Sequence, residues 1–209
     1  LLNHQKKILE MKNNIKNMIA VICCVGLLSS CIKEVDKTFK GETVVEIDAT
    51  VLNSSNSVAG YPVISRIPVA GRPAATADST LRRLNARNIE IRLNLVGPQS
   101  TSDRTIGYKI ISTSPLTTFA FPATASGQTP TAAAATLNVL SAVIGTHVGT
   151  LSGVCTIPAG SSFGIINVEV LRGTATAGQA RFIGIQLDST GSLRPNPNYN
   201  KLGLVIDQR

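Results

Sequence analysis

Few side chains in this sequence can do chemistry, and those few are scattered. The 209 residues hold two histidines (His4 and His147), four cysteines (Cys23, Cys24, Cys31 and Cys155) and no tryptophan. His147 and Cys155 could in principle serve as base and nucleophile. The alternation from Cys155 to Ile157, however, puts the thiol on the face that the next corner must bury, where cysteine acts as a small hydrophobe. The sequence therefore predicts a core cysteine and a histidine that steadies a turn. One imidazole and one thiol also fall short of a tetrahedral zinc site. Asp103, Glu169 and Asp188 are dispersed, without the D-x-D-x-D spacing that gathers oxygens round calcium. No acidic pair sits in the apolar, aromatic-flanked setting that would raise one pKa for glycoside hydrolysis. Phosphate-binding loops, dinucleotide fingerprints and serine elbows are missing too. No catalytic residue, metal ligand or cofactor is expected, and a divergent hydrolase or inhibitor is the weakest of the functional alternatives.

What remains is binding. Sugar platforms stack exposed aromatic rings on pyranose faces, and the chain has only five phenylalanines and three tyrosines. Tyr61, Phe119, Phe121 and Tyr199 fall in predicted loops and are the candidate ligand contacts. Arg72, Arg82, Arg83, Arg87, Arg92 and Arg104 make residues 66–109 net basic. The stretch lacks the aromatic interleaving that single-stranded nucleic acid requires, so no nucleic-acid partner is expected. A solvated basic face is the expectation, with anionic lipid headgroups or surface polysaccharide as the sharper reading.

The amino-terminal segment reads as an address. Residues 1–10 precede the first methionine and are taken as an upstream extension. From Met11 the chain gives a basic start (Lys12, Lys16), then the apolar run MIAVICCVGLL, too short to span a bilayer. The run ends at Leu28-Ser29-Ser30-Cys31, which resembles a bacterial lipobox. The resemblance implies a lipoprotein signal peptide over 11–30, cleavage before Cys31 and lipidation of its thiol. Two or more acyl chains anchor stably where one does not. Ile32 after the cysteine and the charged Lys33-Glu34-Val35-Asp36 resemble signals of outer-membrane and surface export, so an outer-membrane, lipid-anchored location is expected, with the cell surface and the inner leaflet both open. Removing residues 1–30 takes away Lys6, Lys7, Lys12, Lys16 and Glu10, lowering the formal net charge from +8 to about +5. Cys155 is then the only thiol besides the anchor, so no intrachain disulfide is expected.

These residues need elements to position them. Residues 31–42 have no apolar period and read as the lipidated cysteine and a flexible tether. Residues 43–209 read as a single domain in which the dominant period is two, the mark of half-buried strands. Val45, Ile47, Ala49 and Val51 share a face, as do Ile89, Ile91, Leu93 and Leu95. Ile106, Tyr108 and Ile110 follow, then Ile166, Val168 and Val170. Ile183, Ile185 and Leu187 should point inward with Phe182, Gly184 and Gln186 outward, and Leu202, Leu204 and Ile206 close the series. Six or seven strands with Gly/Pro/Asn/Ser punctuation predict an all-β, antiparallel β-sandwich. Charged residues make up only 15% of the chain, well below the usual ~25%, which argues against a coiled coil or a disordered polyelectrolyte. Residues 53–87 and 112–141 read as loops or insertions, and AAAATLNVLSAVI could form a helical turn or two.

Several phrases also carry a family resemblance. They are Leu93-Asn94-Leu95-Val96-Gly97-Pro98-Gln99, Ile106-Gly107-Tyr108-Lys109-Ile110, Gly145-Thr146-His147, the stretch from Thr156 to Gly164 and Asn198-Tyr199-Asn200-Lys201-Leu202-Gly203-Leu204. In this order they resemble Calx-beta-like domains of Bacteroidetes surface lipoproteins of unknown function. The resemblance covers about 88–209 and implies an Ig-like sandwich without a known activity. Val148 departs from it, standing where an aromatic usually follows. In the stretch TIPAGSSFG, Pro158 ends one strand for want of a donor, Ala159-Gly160-Ser161 turns, and the next strand leaves from Phe163. The whole predicts a non-catalytic, membrane-anchored envelope lipoprotein acting as a binding, adhesion or structural module. The alternative is a glycan-binding accessory of a polysaccharide uptake system, and the expected partners are the membrane, a surface polysaccharide or another envelope protein.

Overall fold

Strands account for all the regular structure among the described residues of the computed structural model, which are 39–48, 55–56, 58–72, 75, 77–85, 87–123, 131–174 and 176–209. In chain order the first six are β1 (Val44–Ile47), β2 (Ser55–Asn56), β3 (Tyr61–Ile64), β4 (Arg87–Val96), β5 (Arg104–Ile111) and β6 (Thr118–Phe121). The rest are β7 (Ala135–Ser141), β8 (Val154–Ile157), β9 (Phe163–Val170), β10 (Gln179–Asp188), β11 (Arg194–Pro195) and β12 (Lys201–Asp207). The lipobox residues Leu28, Ser29 and Ser30, the anchor Cys31, and Ala49 and Val51 lie outside the described residues.

The strands form two sheets that face each other as a sandwich. Sheet one has four strands in the order β11-β1-β4-β9; sheet two has eight, with β2-β3-β12-β10-β5-β8 as its path and β6 and β7 attached at β10. Pairing is mainly antiparallel, with parallel contacts at β1/β11, β3/β12 and β7/β10. The alternation read from the sequence explains the inner core. Val45, Ile47, Ile91, Leu93, Ile106, Ile166, Val168, Ile185 and Leu204 all belong to one buried cluster between the sheets. In β9 every second residue is buried from Gly164 to Val170, and the intervening ones are exposed.

Three expectations need correction. Phe182 does not point to solvent: it is completely buried on the outer face of sheet two. There it joins Val63, Leu116, Phe121, Leu137, Val139, Ala180 and Val205 in a second cluster. The stretch 112–141 is not a loop with a helical turn but supplies β6 and β7, which cover that outer face; β3 likewise falls within 53–87. β7 adds to β10 in register Gln179↔Asn138 through Phe182↔Ser141 and buries Leu137 and Val139 alternately. Packing thus overrides the helix preference of its alanines. Lastly, Ile110 shares a register position with the buried Ile185 yet is 39% exposed, because β7 replaces β5 along β10 just beyond that point.

The turn after Pro158 is a corner between sheets rather than a hairpin. β8 pairs with β5 in sheet two, whereas β9 pairs with β4 in sheet one. Gly160 takes φ 70°, which favours glycine. Asp103 Oδ1 accepts the Ala159 N–H at 2.8 Å, and Ser161 Oγ bridges the N–H and C=O of Phe163 at 3.1 and 2.9 Å.

Candidate functional site: a tyrosine-lined groove

The segment from β11 to β12 changes sheets, and its path builds a site. Arg194 and Pro195 run parallel to Val44 and Val45 at the edge of sheet one. Asn196 holds the path there: its N–H donates to Val45 O at 2.7 Å and its side-chain amide to Glu46 at 2.9 Å. Its Oδ1 accepts the Asn198 N–H at 3.0 Å, an Asx turn that swings the chain outward. Tyr199 O then accepts from Ile47 N at 2.8 Å and Asn200 O from Leu187 N at 2.8 Å, so consecutive residues bond opposite sheets. β12 begins at the next residue, Lys201.

Beside it, β3 begins at Tyr61, after a turn closed by Gly60 at φ 70°. The parallel register of β3 and β12 pairs Val63 with Gly203. Two residues upstream on each strand it brings Tyr61 next to Lys201, whose Nζ lies 6.0 Å from the phenol ring centre. The two strand starts flank an open groove of about 350 Å³ lined by Gly60, Tyr61, Pro62, Pro197, Asn198, Tyr199, Asn200 and Lys201. Tyr199 is 42% exposed. Tyr61 is half-buried, which raises its phenol pKa above the ordinary value and keeps it a neutral donor. The groove therefore offers two aromatic rings, two side-chain amides that both donate and accept, and one ammonium. Among the described residues no histidine, cysteine or carboxylate lines it.

The four aromatic candidates thus divide. Tyr61 and Tyr199, 138 positions apart in sequence, meet at the groove. Phe119 and Phe121 do not: their rings pack edge-to-face at 5.1 Å in the outer cluster, and Phe121 is 2% exposed. The sequence does not single out Asn198, Asn200 or Lys201. The cue was the run Pro195-Asn196-Pro197-Asn198-Tyr199-Asn200, turn residues crowded round a tyrosine just before a strand.

The groups weighed for catalysis have structural jobs. Cys155 is buried against the core, its thiol directed at the carbonyls of Thr156 and Ile165, and burial pushes its pKa up to about 11. His147 Nδ1 accepts the Val143 N–H at 3.1 Å and so closes a turn. Burial, then the charges of Arg181 and Arg83, hold its imidazole below the ordinary value. Val148, in place of the aromatic, is fully buried and bridges Val170. Asp188 is bonded by Thr190 and faces Lys109 at 3.6 Å, and the Thr190 bonds hold its carboxyl below the usual range. Among the described residues no three His, Cys, Asp or Glu side chains come together.

The basic stretch 66–109 is not a uniformly solvated face, because most of its guanidiniums bind carbonyls or carboxylates. Arg72 pairs with Asp78, and that hydrogen bond holds the Asp78 carboxyl below its usual range. Arg82 is 3% exposed, 3.6 Å from Asp207, and donates to Arg209 O at 2.7 Å. Arg92 lies 4.2 Å over the Phe163 ring, and Arg104 donates to Pro98 O at 2.8 Å. Arg87 remains exposed.

In class, then, the chain is an all-β sandwich with a neutral-to-basic groove at one side. No protein-family profile and no characterised protein sequence matches it. Among solved structures it is similar in part to a protein of Bacteroides ovatus provisionally described as carbohydrate binding, with TM-score 0.38 and 11% identity over 61% of this chain. It spans 33% of that protein's chain. It is also similar to the apo form of the Calx CBD1 domain, with TM-score 0.35 and 17% identity over 59% of this chain and 85% of the domain. A third similarity is to CBD12 from CALX1.2, with TM-score 0.32 and 10% identity over 58% of this chain and 38% of that one.

Proposed function

We propose that this chain is a non-catalytic binding module that captures glycans in the Tyr61–Tyr199 groove and is held at the outer membrane by a lipid on Cys31. The observation that carries the glycan reading is the convergence of two distant tyrosines with Asn198, Asn200 and Lys201 on one open groove. Rings stack on the apolar faces of sugars while amides satisfy hydroxyls, and the volume lies within the ~300–1,000 Å³ typical of ligand sites. A buried thiol with its pKa pushed to about 11 and an imidazole committed to a turn support a role without catalysis.

The test is electrophoresis of the 39–209 fragment through gels cast with a panel of neutral and acidic polysaccharides. Retardation on at least one polymer, reduced about fivefold or more in affinity by Tyr199→Ala, is expected. Free migration across the whole panel would leave only an adhesion or structural role. The anchor has its own test: Cys31→Ala should move the full-length protein out of the detergent phase or leave it uncleaved, and unchanged partitioning would remove the lipid from the account.

A further inference from the structure

At one end of the sandwich a tight turn holds apolar side chains out in solvent. Val143 is 52% exposed, Ile144 39% and Leu140 42%, all within five residues. This is not a slack loop. Ala142 N–H donates to Phe182 O at 2.7 Å, Gly145 N–H to Val148 O at 2.7 Å and His147 N–H to Val143 O at 2.9 Å. The buried His147 accepts from Val143 N–H beneath the tip. A hydrogen-bonded turn that presents valine and isoleucine outward cannot hide them by local collapse, and exposed apolar side chains grouped within five residues mark an interaction site.

Arginines collar the same tip. Arg181 donates to Ser141 O at 3.3 Å and Arg83 to Thr146 O at 3.0 Å. The exposed Arg172 follows Leu171, whose N–H donates to His147 O at 3.0 Å. Of the acids nearby, Asp207 is engaged by Arg82 and Arg209, and Glu169 lies against Gly149 on the flank. Apolar residues ringed by arginines complement a negatively charged bilayer, in which the apolar tip enters the headgroup boundary and guanidiniums meet phosphates. A soluble polyanion would use the arginines but not Val143 and Ile144.

We propose that the Leu140–His147 end of the sandwich docks onto anionic lipid surfaces by inserting Val143 and Ile144, with Arg83, Arg172 and Arg181 contacting phosphates. This contact is separate from the glycan groove and from Cys31. The chain enters β1 at the opposite end of β4, where Val44 pairs with Val96, while Arg87 pairs with Val170 at the docking end.

The test is co-sedimentation of the 39–209 fragment with vesicles of phosphatidylglycerol and phosphatidylcholine, and of phosphatidylcholine alone. Among the described residues all twelve strands and both hydrophobic clusters lie within 39–209, which form one compact unit, so the fragment carries this core. Binding to the anionic vesicles is expected, weakened at least tenfold by Val143→Asn with Ile144→Asn, about fivefold by Arg172→Gln, and unchanged by Tyr199→Ala. Val143, Ile144 and Arg172 are all exposed, so the variants should fold. No binding to anionic vesicles would overturn the proposal. Equal binding to neutral vesicles, or full binding by the Val143/Ile144 variant, would overturn it as well, the latter indicating a polyanion site.

Discussion

Replacing Phe182 with alanine should remove the anchor of the outer cluster and destabilise the protein by about 4 kcal/mol, the middle of the range for buried Phe→Ala changes. The ring is completely buried and rests on two glycines of sheet two. A Cβ built on Gly203 would lie 2.7 Å from its Cε2, and one on Gly184 would lie 3.2 Å from its Cζ. The space it vacates is walled by Val63, Phe121, Leu137, Val139 and Val205, all on paired strands that cannot slide inward to fill it. The same geometry fixes a second value. Gly203→Ala should cost about 1–3 kcal/mol through overpacking. In the Phe182→Ala background most of that cost should vanish, because the ring it strikes is gone. Urea unfolding of the four proteins of this cycle, followed by tyrosine fluorescence and circular dichroism, reads the coupling. A Phe182→Ala loss below about 1 kcal/mol, or additivity within about 0.5 kcal/mol, would refute the packing described for β6 and β7.

Three further outcomes are expected. The folded protein holds His147 below its ordinary value of 6.5, so the unfolded chain takes the proton first, and stability falls as pH drops below about 6.5 until the folded imidazole titrates. His147→Gln should flatten the denaturation-midpoint curve between about pH 7 and pH 5, and an unaltered slope would contradict this. In the 39–209 fragment, Cys155 should resist aromatic disulfide reagents at about pH 8 and react fully once unfolded; native labelling at the rate of a free thiol would place it wrongly. Gly160→Ala should cost about 1 kcal/mol, because the corner needs a positive φ there; an unchanged unfolding midpoint would count against that conformation.

The inner core was legible because its strands obey period two: β9, β4 and the inward positions of β12 bury the residues their alternation predicts. The outer cluster was harder to read. Phe182-Ile183-Gly184-Ile185-Gln186-Leu187 is nearly continuous in apolar character, the mark of a strand covered on both faces, and alternation alone turned Phe182 outward. The alanine-rich approach to β7 carried helix propensity, and only the β10 edge and the outer cluster, both distant in sequence, make it a strand. At the candidate site, aromatic type and predicted loop position pointed to Tyr61 and Tyr199, although Tyr61 in fact begins β3. Their meeting depends on a sheet change at Tyr199–Asn200 and on the β3/β12 register, neither of which a local pattern encodes. Phe119 and Phe121 shared the same local signature but were claimed by the core.

The proposed glycan site can be watched through its own rings. The chain has three tyrosines and no tryptophan. Two of the tyrosines line the groove, while Tyr108, 6% exposed, sits in the inner core as an internal control. Aromatic NMR of the 39–209 fragment, titrated with oligosaccharides from a polymer that retards it, should move the Tyr61 and Tyr199 ring signals together along one binding curve and leave Tyr108 in place. Saturable shifts elsewhere on the domain, with both groove tyrosines unmoved, would contradict the groove as the site.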